Sequence, residues 1–155
     1  MFRMDVSYKE LSAKLNCLNN ELTMSKKKII SNQTVTRGQM EAKISKALIA
    51  FEKGHMGRGP VDVKTYIIED MVLIRLRGVL TPAEGHLAKD EDGIHLIKQV
   101  RAKLLENSNG ILADSIKGIT GCSVISFHTD ISTKTGERVI VITLDDDLQR
   151  RLPFK

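Results

Sequence analysis

The 155-residue chain contains no tryptophan, and only 4% of its residues are aromatic. It therefore offers few side chains for stacking against bases. Cys17 and Cys122 are too few for a disulfide scaffold, and we expect two reduced thiols. No apolar run approaches the roughly 20 residues of a membrane-spanning helix, and the first residues lack the apolar core of a signal peptide. These absences predict a cytoplasmic globular protein, with peripheral attachment to a membrane as the alternative location.

Positive charge is concentrated near the start of the chain. The net charge is +5, and residues 1–37 hold seven of the 24 Lys and Arg but three of the 19 Asp and Glu. The first 37 residues therefore carry +4 and the remainder +1. Because the remainder is nearly neutral, we expect any nucleic-acid affinity to lie in the leader and to vanish with salt.

The leader is predicted to be helical. A capping box at Ser7–Glu10 precedes a seam of apolar residues at spacings of three and four, formed by Tyr8, Leu11, Leu15, Leu18 and Leu22. The seam is too short for a stable coiled coil by itself, so it either packs on its own domain or pairs with another copy. The lysines at 26–28 then read as a linker. We assign residues 1–35 to this leader and residues 36–155 to an α+β domain.

A hairpin dominates the middle of the chain. Residues 61–68 are rich in β-branched residues, and residues 71–80 return across a turn at Glu69-Asp70. This register makes one face mostly apolar, and the other apolar near the turn and charged at its far end. The first face pairs Ile67 with Val72, Thr65 with Ile74 and Val63 with Leu76. The second face pairs Ile68 with Met71, Tyr66 with Leu73, Lys64 with Arg75 and Asp62 with Arg77.

Helices and a second hairpin complete the predicted domain. Helices are expected at 36–53, at 82–107 with a possible break at Asp92-Gly93, and at 111–117 after a loop at 107–110. Strands at 124–131 and 137–144 form the second hairpin, and a short turn follows the aspartates at 145–147. The order predicts a four-stranded, mainly antiparallel sheet with helices on one face, preceded by the amphipathic leader helix.

No catalytic or metal-binding constellation stands out. His128 and Asp130 share one face of a strand, so the carboxylate could orient the imidazole, but no Ser or Cys nucleophile motif accompanies them. The four histidines lack zinc-site spacing, and we predict no metal and no cofactor. Arg58, between two glycines before Pro60, could present a guanidinium to an anion. The candidate ligand or partner contacts are Arg58, His128, Asp130 and Arg138.

The second face of the first hairpin has no obvious element to cover it. Its apolar residues, together with the leucines of the leader seam, are therefore our candidate interface: Tyr66, Ile68, Met71, Leu73, Leu11, Leu15, Leu18 and Leu22. A two-fold pairing would bury the same patch on both copies, so we expect a homo-oligomer, at least a dimer.

Three segments resemble one bacterial family. They are the helix MEAKISKALIAFEK, the stretch FEKGHMGRGPVDVKTYIIEDMVLIRLRGVLTPAEGHLAKDEDGIHLIKQVR, and the stretch ITGCSVISFHTDISTKTGERVIVITL. The combination of GRGP, GVLTPAE and HTDISTKTGER is specific. Over residues 36–144 the chain resembles the YbcI-like, or MpsC-like, family, described as one component of a sodium-translocating, membrane-potential-generating system. The resemblance implies a small soluble protein associated with membrane energetics or with ion or inorganic-carbon transport, and it carries over no catalytic residue.

Three functions follow as expectations. The first is a non-enzymatic accessory module that binds a protein partner, such as a membrane-transport subunit. The second is a small-anion-binding domain built around the four candidate ligand contacts. The third, nucleic-acid binding through the basic leader, is the least supported.

Overall fold

The computed structural model describes residues 34–153, which form four helices and four strands. In chain order these are α1 (Arg37–Met56), β1 (Asp62–Ile68), β2 (Met71–Arg77), α2 (Pro82–Leu87), α3 (Glu91–Thr120), β3 (Val124–Ser132), β4 (Glu137–Leu144) and α4 (Leu148–Arg151). Almost all of the predicted leader, including its apolar seam, lies outside the described residues.

The predicted start of α1 is confirmed, whereas its end lies further along the chain. The Thr36 side chain accepts a hydrogen bond from the Gln39 backbone N–H, and the Gln39 side chain accepts one from the Thr36 N–H. The helix continues through Gly54, one residue past its predicted end, and is capped by Gly57 with φ 73°. Glycine is favoured there because a left-handed C-cap strains residues that carry a Cβ.

The first hairpin has the predicted register throughout, from Ile68 opposite Met71 to Asp62 opposite Arg77. Glu69 adopts a positive φ of 54° within the two-residue turn. The return strand is shorter than predicted, because Gly78 turns the chain with φ 65°. A Cβ at Gly78 would lie 2.6 Å from Val61 Cγ2, so this position requires glycine.

The two hairpins join into one sheet. The strand order is β1-β2-β4-β3, and all three pairings are antiparallel. The predicted α+β fold with a four-stranded antiparallel sheet is therefore confirmed. β1 and β3 form the two edges, and a bulge between Val124 and Ser126 interrupts the regular pairing at the start of β3.

Helices α1 and α3 pack against one face of the sheet, which we call the covered face. Side chains buried on this face alternate with less buried neighbours along the strands, as expected for an antiparallel sheet with one packed face. They belong to Thr65, Ile67, Val72, Ile74, Leu76, Arg138, Ile140, Ile142 and Leu144. The opposite face, which α1 and α3 leave uncovered, we call the open face; on the first hairpin it carries the candidate interface residues Tyr66, Ile68, Met71 and Leu73.

The predicted helices after the first hairpin need correction. A capping box between Thr81 and Glu84 begins α2 at Pro82, where a helix was predicted to start. The chain leaves this helix at Ala88, before the predicted break at Asp92-Gly93. The Asp90 side chain then caps α3 by accepting a hydrogen bond of 2.7 Å from the Gly93 N–H. A Cβ at Gly93 would meet the Leu87 carbonyl oxygen at 1.8 Å, so the close approach of the two helices requires this glycine.

The predicted loop at 107–110 is wrong, because α3 runs unbroken for 30 residues to a left-handed Gly121. Asn107, Asn109 and Gly110 lie largely toward solvent there, and their low helix propensity costs only about 0.5–1 kcal/mol each. Burial of Leu105 before them and Leu112 after them on the same helix face offsets that cost.

Candidate functional site

A buried ion pair joins α1 to β4 under the covered face. Arg138 Nη1 donates to Glu52 Oε1 at 2.8 Å, and both side chains are only 1% exposed. Arg138 Nε also donates to Thr129 Oγ1 at 3.0 Å, and its Nη2 to the Arg101 carbonyl at 3.3 Å. The guanidinium therefore has a hydrogen-bond acceptor at each of its three nitrogens.

A second guanidinium extends this pair to α2 and α3. Arg101 Nε and Nη2 each donate to the Glu84 carboxylate at 2.8 Å, and Nη2 also donates to the Val79 carbonyl at 2.8 Å. Arg101 Nη1 lies 3.8 Å from Glu52 Oε2 and is a buried nitrogen without a hydrogen-bond acceptor. Four elements thus meet in one cluster, which we call the charge cluster: Glu52, Glu84, Arg101 and Arg138.

Burial and pairing act against each other in the charge cluster. Burial raises the pKa of Glu52, while the nearby Arg138 and Arg101 lower it, and the balance leaves it above the ordinary value. Burial likewise lowers the pKa of Arg138. Partial burial raises the pKa of Glu84, but hydrogen bonds from Arg101 and from the Thr81 backbone outweigh it and lower the pKa overall. The cluster has two acids and two bases, so it is electrically balanced when all four are ionised.

The charge cluster adjoins an opening between α3 and β3. A cavity of about 240 Å³ is lined by Lys98, Gln99, Arg101, Ala102, Thr129, Asp130, Ile131 and Arg138. A further volume of about 460 Å³ lies alongside the middle of α3, lined by Ala102, Leu105, Glu106, Asn109 and residues 125–129. Because Ala102 and Thr129 line both volumes, we treat them as one groove, the α3–β3 groove.

Three of the four predicted anion contacts line the α3–β3 groove, and the fourth lies apart from it. Asp130 and Arg138 line the cavity, and His128 lines the adjoining part of the groove. Arg58 lies apart, at the α1–β1 turn, and its Nη1 donates to the Leu80 carbonyl at 3.3 Å. Arg138 is engaged by Glu52 and is inaccessible to solvent, so its guanidinium is a structural group in this state.

His128 and Asp130 occupy the same strand face, opposite Val141 and Val139 of the open face. The expected orientation of the imidazole by the carboxylate is replaced by other partners. Lys98 Nζ donates to both Asp130 oxygens, at 3.0 and 3.2 Å, and this contact lowers the pKa of Asp130. His128 Nε2 lies 3.1 Å from Ser126 Oγ.

The candidate interface residues of the first hairpin lie together on the open face. Tyr66 and Ile68 are 41% and 40% exposed, and Met71 and Leu73 beside them are half-buried. Val141 continues the row across β4, opposite Leu73. The far end of this face is charged, with Arg75 and Arg77 around Glu137. The leucines at 11, 15, 18 and 22 lie outside the described residues.

Three of the four charge-cluster residues were not singled out from the sequence, namely Glu52, Glu84 as an ion-pair partner, and Arg101. A signal was nevertheless present. Glu52 continues the buried i, i+4 series of Ile44 and Leu48, and Arg101 stands between Ile97 and Leu105 in the same spacing. A charged residue at a core position of an amphipathic helix needs a buried partner of opposite charge. An acid at such a position in one helix and a base at such a position in another are therefore candidates to pair.

Two further properties concern residues 34–153 as a whole. No group of His, Cys, Asp and Glu side chains in this range is arranged to hold a metal ion. None of the helices described is both long enough and apolar enough to cross a bilayer.

Comparison with known proteins gives two matches. A family model described as Na+-translocating membrane potential-generating system (MpsC) matches residues 36–146. A Bacillus subtilis (strain 168) protein, named uncharacterized protein YbcI, is 46% identical over 117 residues, covering 76% of this chain and 94% of its own. No solved structure matches the chain significantly. The sequence segments that carry the resemblance contain Glu52, Glu84 and Arg138, which are residues of the charge cluster.

Proposed function

The chain belongs to the MpsC family of Na+-translocating membrane potential-generating systems, and from this premise we propose that it is a non-enzymatic accessory subunit. It acts by binding protein partners, including a second copy of itself, from a cytoplasmic or membrane-peripheral position. Its open sheet face is the contact surface.

The open face is the observation that carries this proposal. One face of an antiparallel sheet normally meets water with polar side chains. Here the half nearest the β1–β2 turn presents Tyr66, Ile68, Met71, Leu73 and Val141 instead. A contiguous exposed apolar patch on a globular domain usually marks an interface. A second copy related by a two-fold axis through this patch would bury the same residues from both chains.

The small-anion alternative has less support. Arg58 lies apart from the other three contacts, and Arg138 is neutralised by Glu52 at 2.8 Å. Nucleic-acid binding depends on the basic leader, since the rest of the chain carries only +1.

Replacement of one open-face leucine tests the dimer. Leu73→Glu places a charge in the patch, and Leu87→Glu is the matched control because Leu87 is a 44% exposed leucine on α2. Light scattering on the full chain should give twice 17.3 kDa for wild type and for the control, and 17.3 kDa for Leu73→Glu. Thermal melts establish that each variant is folded. If wild type is a monomer at tens of micromolar, or if a folded Leu73→Glu is still a dimer, the open face is not a dimer interface.

The same two variants test the partner. Full-length wild type and both variants serve as bait in a native membrane fraction, and captured proteins are identified by mass spectrometry. We expect a membrane-system protein to be retained by wild type and by Leu87→Glu but lost with Leu73→Glu. An identical set on all three baits would show that the open face does not select partners.

A further inference from the structure

His128 lies at the β3 end of a row of side chains that crosses the open face. The three strand pairings place Tyr66, Leu73, Val141 and His128 next to one another, on β1, β2, β4 and β3 in turn. The first three belong to the apolar patch of the proposed interface, and His128 is exposed at the margin of that patch. A histidine therefore continues the surface that a second copy would cover.

The hydrogen-bond partner of His128 is an uncharged hydroxyl. Its Nε2 lies 3.1 Å from Ser126 Oγ, and the Ser126 hydroxyl is also bonded to the Thr143 hydroxyl on the neighbouring strand. Ser126 and Thr143 continue the row of Ile68 and Met71 across the sheet, so this row is uncharged as well. Hydroxyl groups satisfy a neutral imidazole but bring no negative charge to a protonated one.

The nearest carboxylates are engaged with other cations. Asp130, two residues along β3, accepts from Lys98 Nζ of α3 at 3.0 and 3.2 Å. Glu106 of α3 lines the α3–β3 groove together with His128, and its Oε2 lies 3.5 Å from Lys103 Nζ. His128 takes part in none of the ion pairs that residues 34–153 form with one another. The other charged side chains of the open face belong to the two rows beyond the patch: Asp62, Lys64, Arg75, Arg77 and Glu137.

We propose that protonation of His128 weakens the open-face contact between two copies, so that the dimer forms near neutral pH and dissociates as the pH falls toward about 5.5. The inference rests on the proposed function, because it requires a second copy on the open face. Histidine is the side chain whose charge ordinarily changes between about pH 5 and about pH 8.

The surroundings of His128 give the direction of the effect. A neutral imidazole can be covered together with Val141 when two open faces meet. A protonated imidazole either keeps its water, which holds the two faces apart, or loses that water beside apolar side chains without a countercharge, which is costly. In a two-fold pair each copy brings one such histidine, so the cost is incurred twice.

The dissociation constant of the dimer tests the proposal. Sedimentation equilibrium of the full chain is run at about pH 7.5 and at about pH 5.5, the range in which histidine gains its proton. The dissociation constant of wild type should be at least about tenfold larger at the lower pH. Thermal melts at both pH values establish that the chain stays folded.

Variants of the histidines identify the group that titrates. His128→Gln can still hydrogen-bond to Ser126 but takes up no proton, so its dissociation constant should be the same at both pH values. His128→Lys is charged throughout, so it should show the weaker association already at about pH 7.5. His86→Gln and His95→Gln are the matched controls, because these histidines are exposed on α2 and α3 rather than on the sheet. Both controls should respond to pH as wild type does.

Three outcomes would overturn the proposal, and they separate it from the proposed function. Equal dissociation constants of wild type at the two pH values would remove the role of His128 and leave the open-face dimer in place. A weakening by acid that persists in a folded His128→Gln would assign the proton to another group. A folded wild-type monomer at about pH 7.5 and tens of micromolar would refute the dimer itself, and the pH response with it.

Discussion

Glu137 and Arg138 are neighbours in β4, and each forms an ion pair on a different face of the sheet. Glu137 Oε2 lies 2.6 Å from Arg75 Nη2 on the open face, where the two side chains are 26% and 42% exposed. Arg138 Nη1 lies 2.8 Å from Glu52 Oε1 under the covered face, where both are 1% exposed. Similar contacts therefore lie one residue apart in very different surroundings.

The difference shows that contact distance alone does not measure an ion pair's importance. Water screens the open-face pair, and such pairs usually contribute little. The buried pair gains more from attraction but also loses more hydration, so its net contribution can be small. Removing one buried partner is nevertheless severe, because the other charge is left without compensation. The buried pair joins α1 to β4 and, through Arg101, approaches α2 and α3, so it specifies how these elements meet.

The largest expected effect comes from removing one buried charge. Arg138→Met keeps apolar bulk but leaves Glu52 buried without the guanidinium that pairs with it, and we expect a loss of about 3–5 kcal/mol in the free energy of unfolding. Glu137→Gln is the matched change, because it removes the acid of the exposed pair one residue away in β4. Its effect on the free energy of unfolding should be only a small fraction of that loss. Urea denaturation of both variants measures the difference.

A double replacement distinguishes charge from packing. Glu52→Leu with Arg138→Met removes both charges while keeping apolar volume, and it should recover much of the stability lost in Arg138→Met. Equal losses in Arg138→Met and Glu137→Gln would mean that burial does not separate the two pairs.

Two adjacent apolar residues of β2 give the next effect. Ile74 is fully buried under the covered face, whereas Leu73 lies on the open face between Tyr66 and Val141. Ile74→Ala should cost about 2–5 kcal/mol through the cavity it leaves, and Leu73→Ala clearly less when measured on the monomer at low concentration. If Leu73→Ala costs as much as Ile74→Ala under those conditions, the open face is packed within one chain and is not free for a partner.

The sheet was predicted well from the sequence because the patterns that define it involve residues close together in the chain. Alternation of apolar residues and a two-residue turn determine the hairpin register, and Thr81 and Glu84 identify a helix start within four residues. Asn107 to Gly110 misled the prediction because their preference for a loop is also local. It is overridden by Leu105 and Leu112, whose shared burial depends on how α3 packs in three dimensions.

The charge cluster depended on long-range information. Glu52 and Arg138 are 86 positions apart, and nothing in the sequence near either residue identifies the other. The buried face of α3 depends on the same long-range information. It is centred on Arg101, which is 4% exposed, so the neighbouring apolar Val100 is 46% exposed. A charged residue at the centre of a packed helix face is recognisable only once its partner is known.

Acid dependence gives an intermediate effect and contrasts two carboxylates of the cluster. The pKa of Glu84 is lowered in the folded chain, so it contributes stability above the ordinary value of 4.5 that is lost as the pH falls through its folded value. The pKa of Glu52 is raised, so its titration has the opposite sign and destabilises the fold as the pH rises. Glu84→Gln should therefore be less sensitive to acid than wild type below about pH 4.5.

Urea midpoints from about pH 7 to about pH 3 measure this dependence. Asp130→Asn is the control. The pKa of Asp130 is also lowered, by its contact with Lys98, but its side chain is 74% exposed, so water weakens that contact. It should change the acid sensitivity much less than Glu84→Gln. Identical pH profiles for wild type and Glu84→Gln would show that the Arg101 contact does not perturb Glu84 as described.

The smallest expected effect on stability is that of replacing Arg58, an exposed arginine that can be compared with the buried Arg138. Its only hydrogen bond among the described residues is one of 3.3 Å to the Leu80 carbonyl, so Arg58→Ala should change stability by no more than about 0.5 kcal/mol. Gly57→Ala is the neighbouring control, since the left-handed φ of 73° should make it cost about 1–2 kcal/mol although no atom lies within 4 Å of the new Cβ. Thermal melts compare the two, and the native membrane capture is repeated with Arg58→Ala. If Arg58→Ala keeps the wild-type melting temperature but loses the captured partner, Arg58 is a contact residue. If its melting temperature falls as far as that of Gly57→Ala, the guanidinium stabilises the turn, and an exposed arginine matters to the fold as the buried Arg138 does.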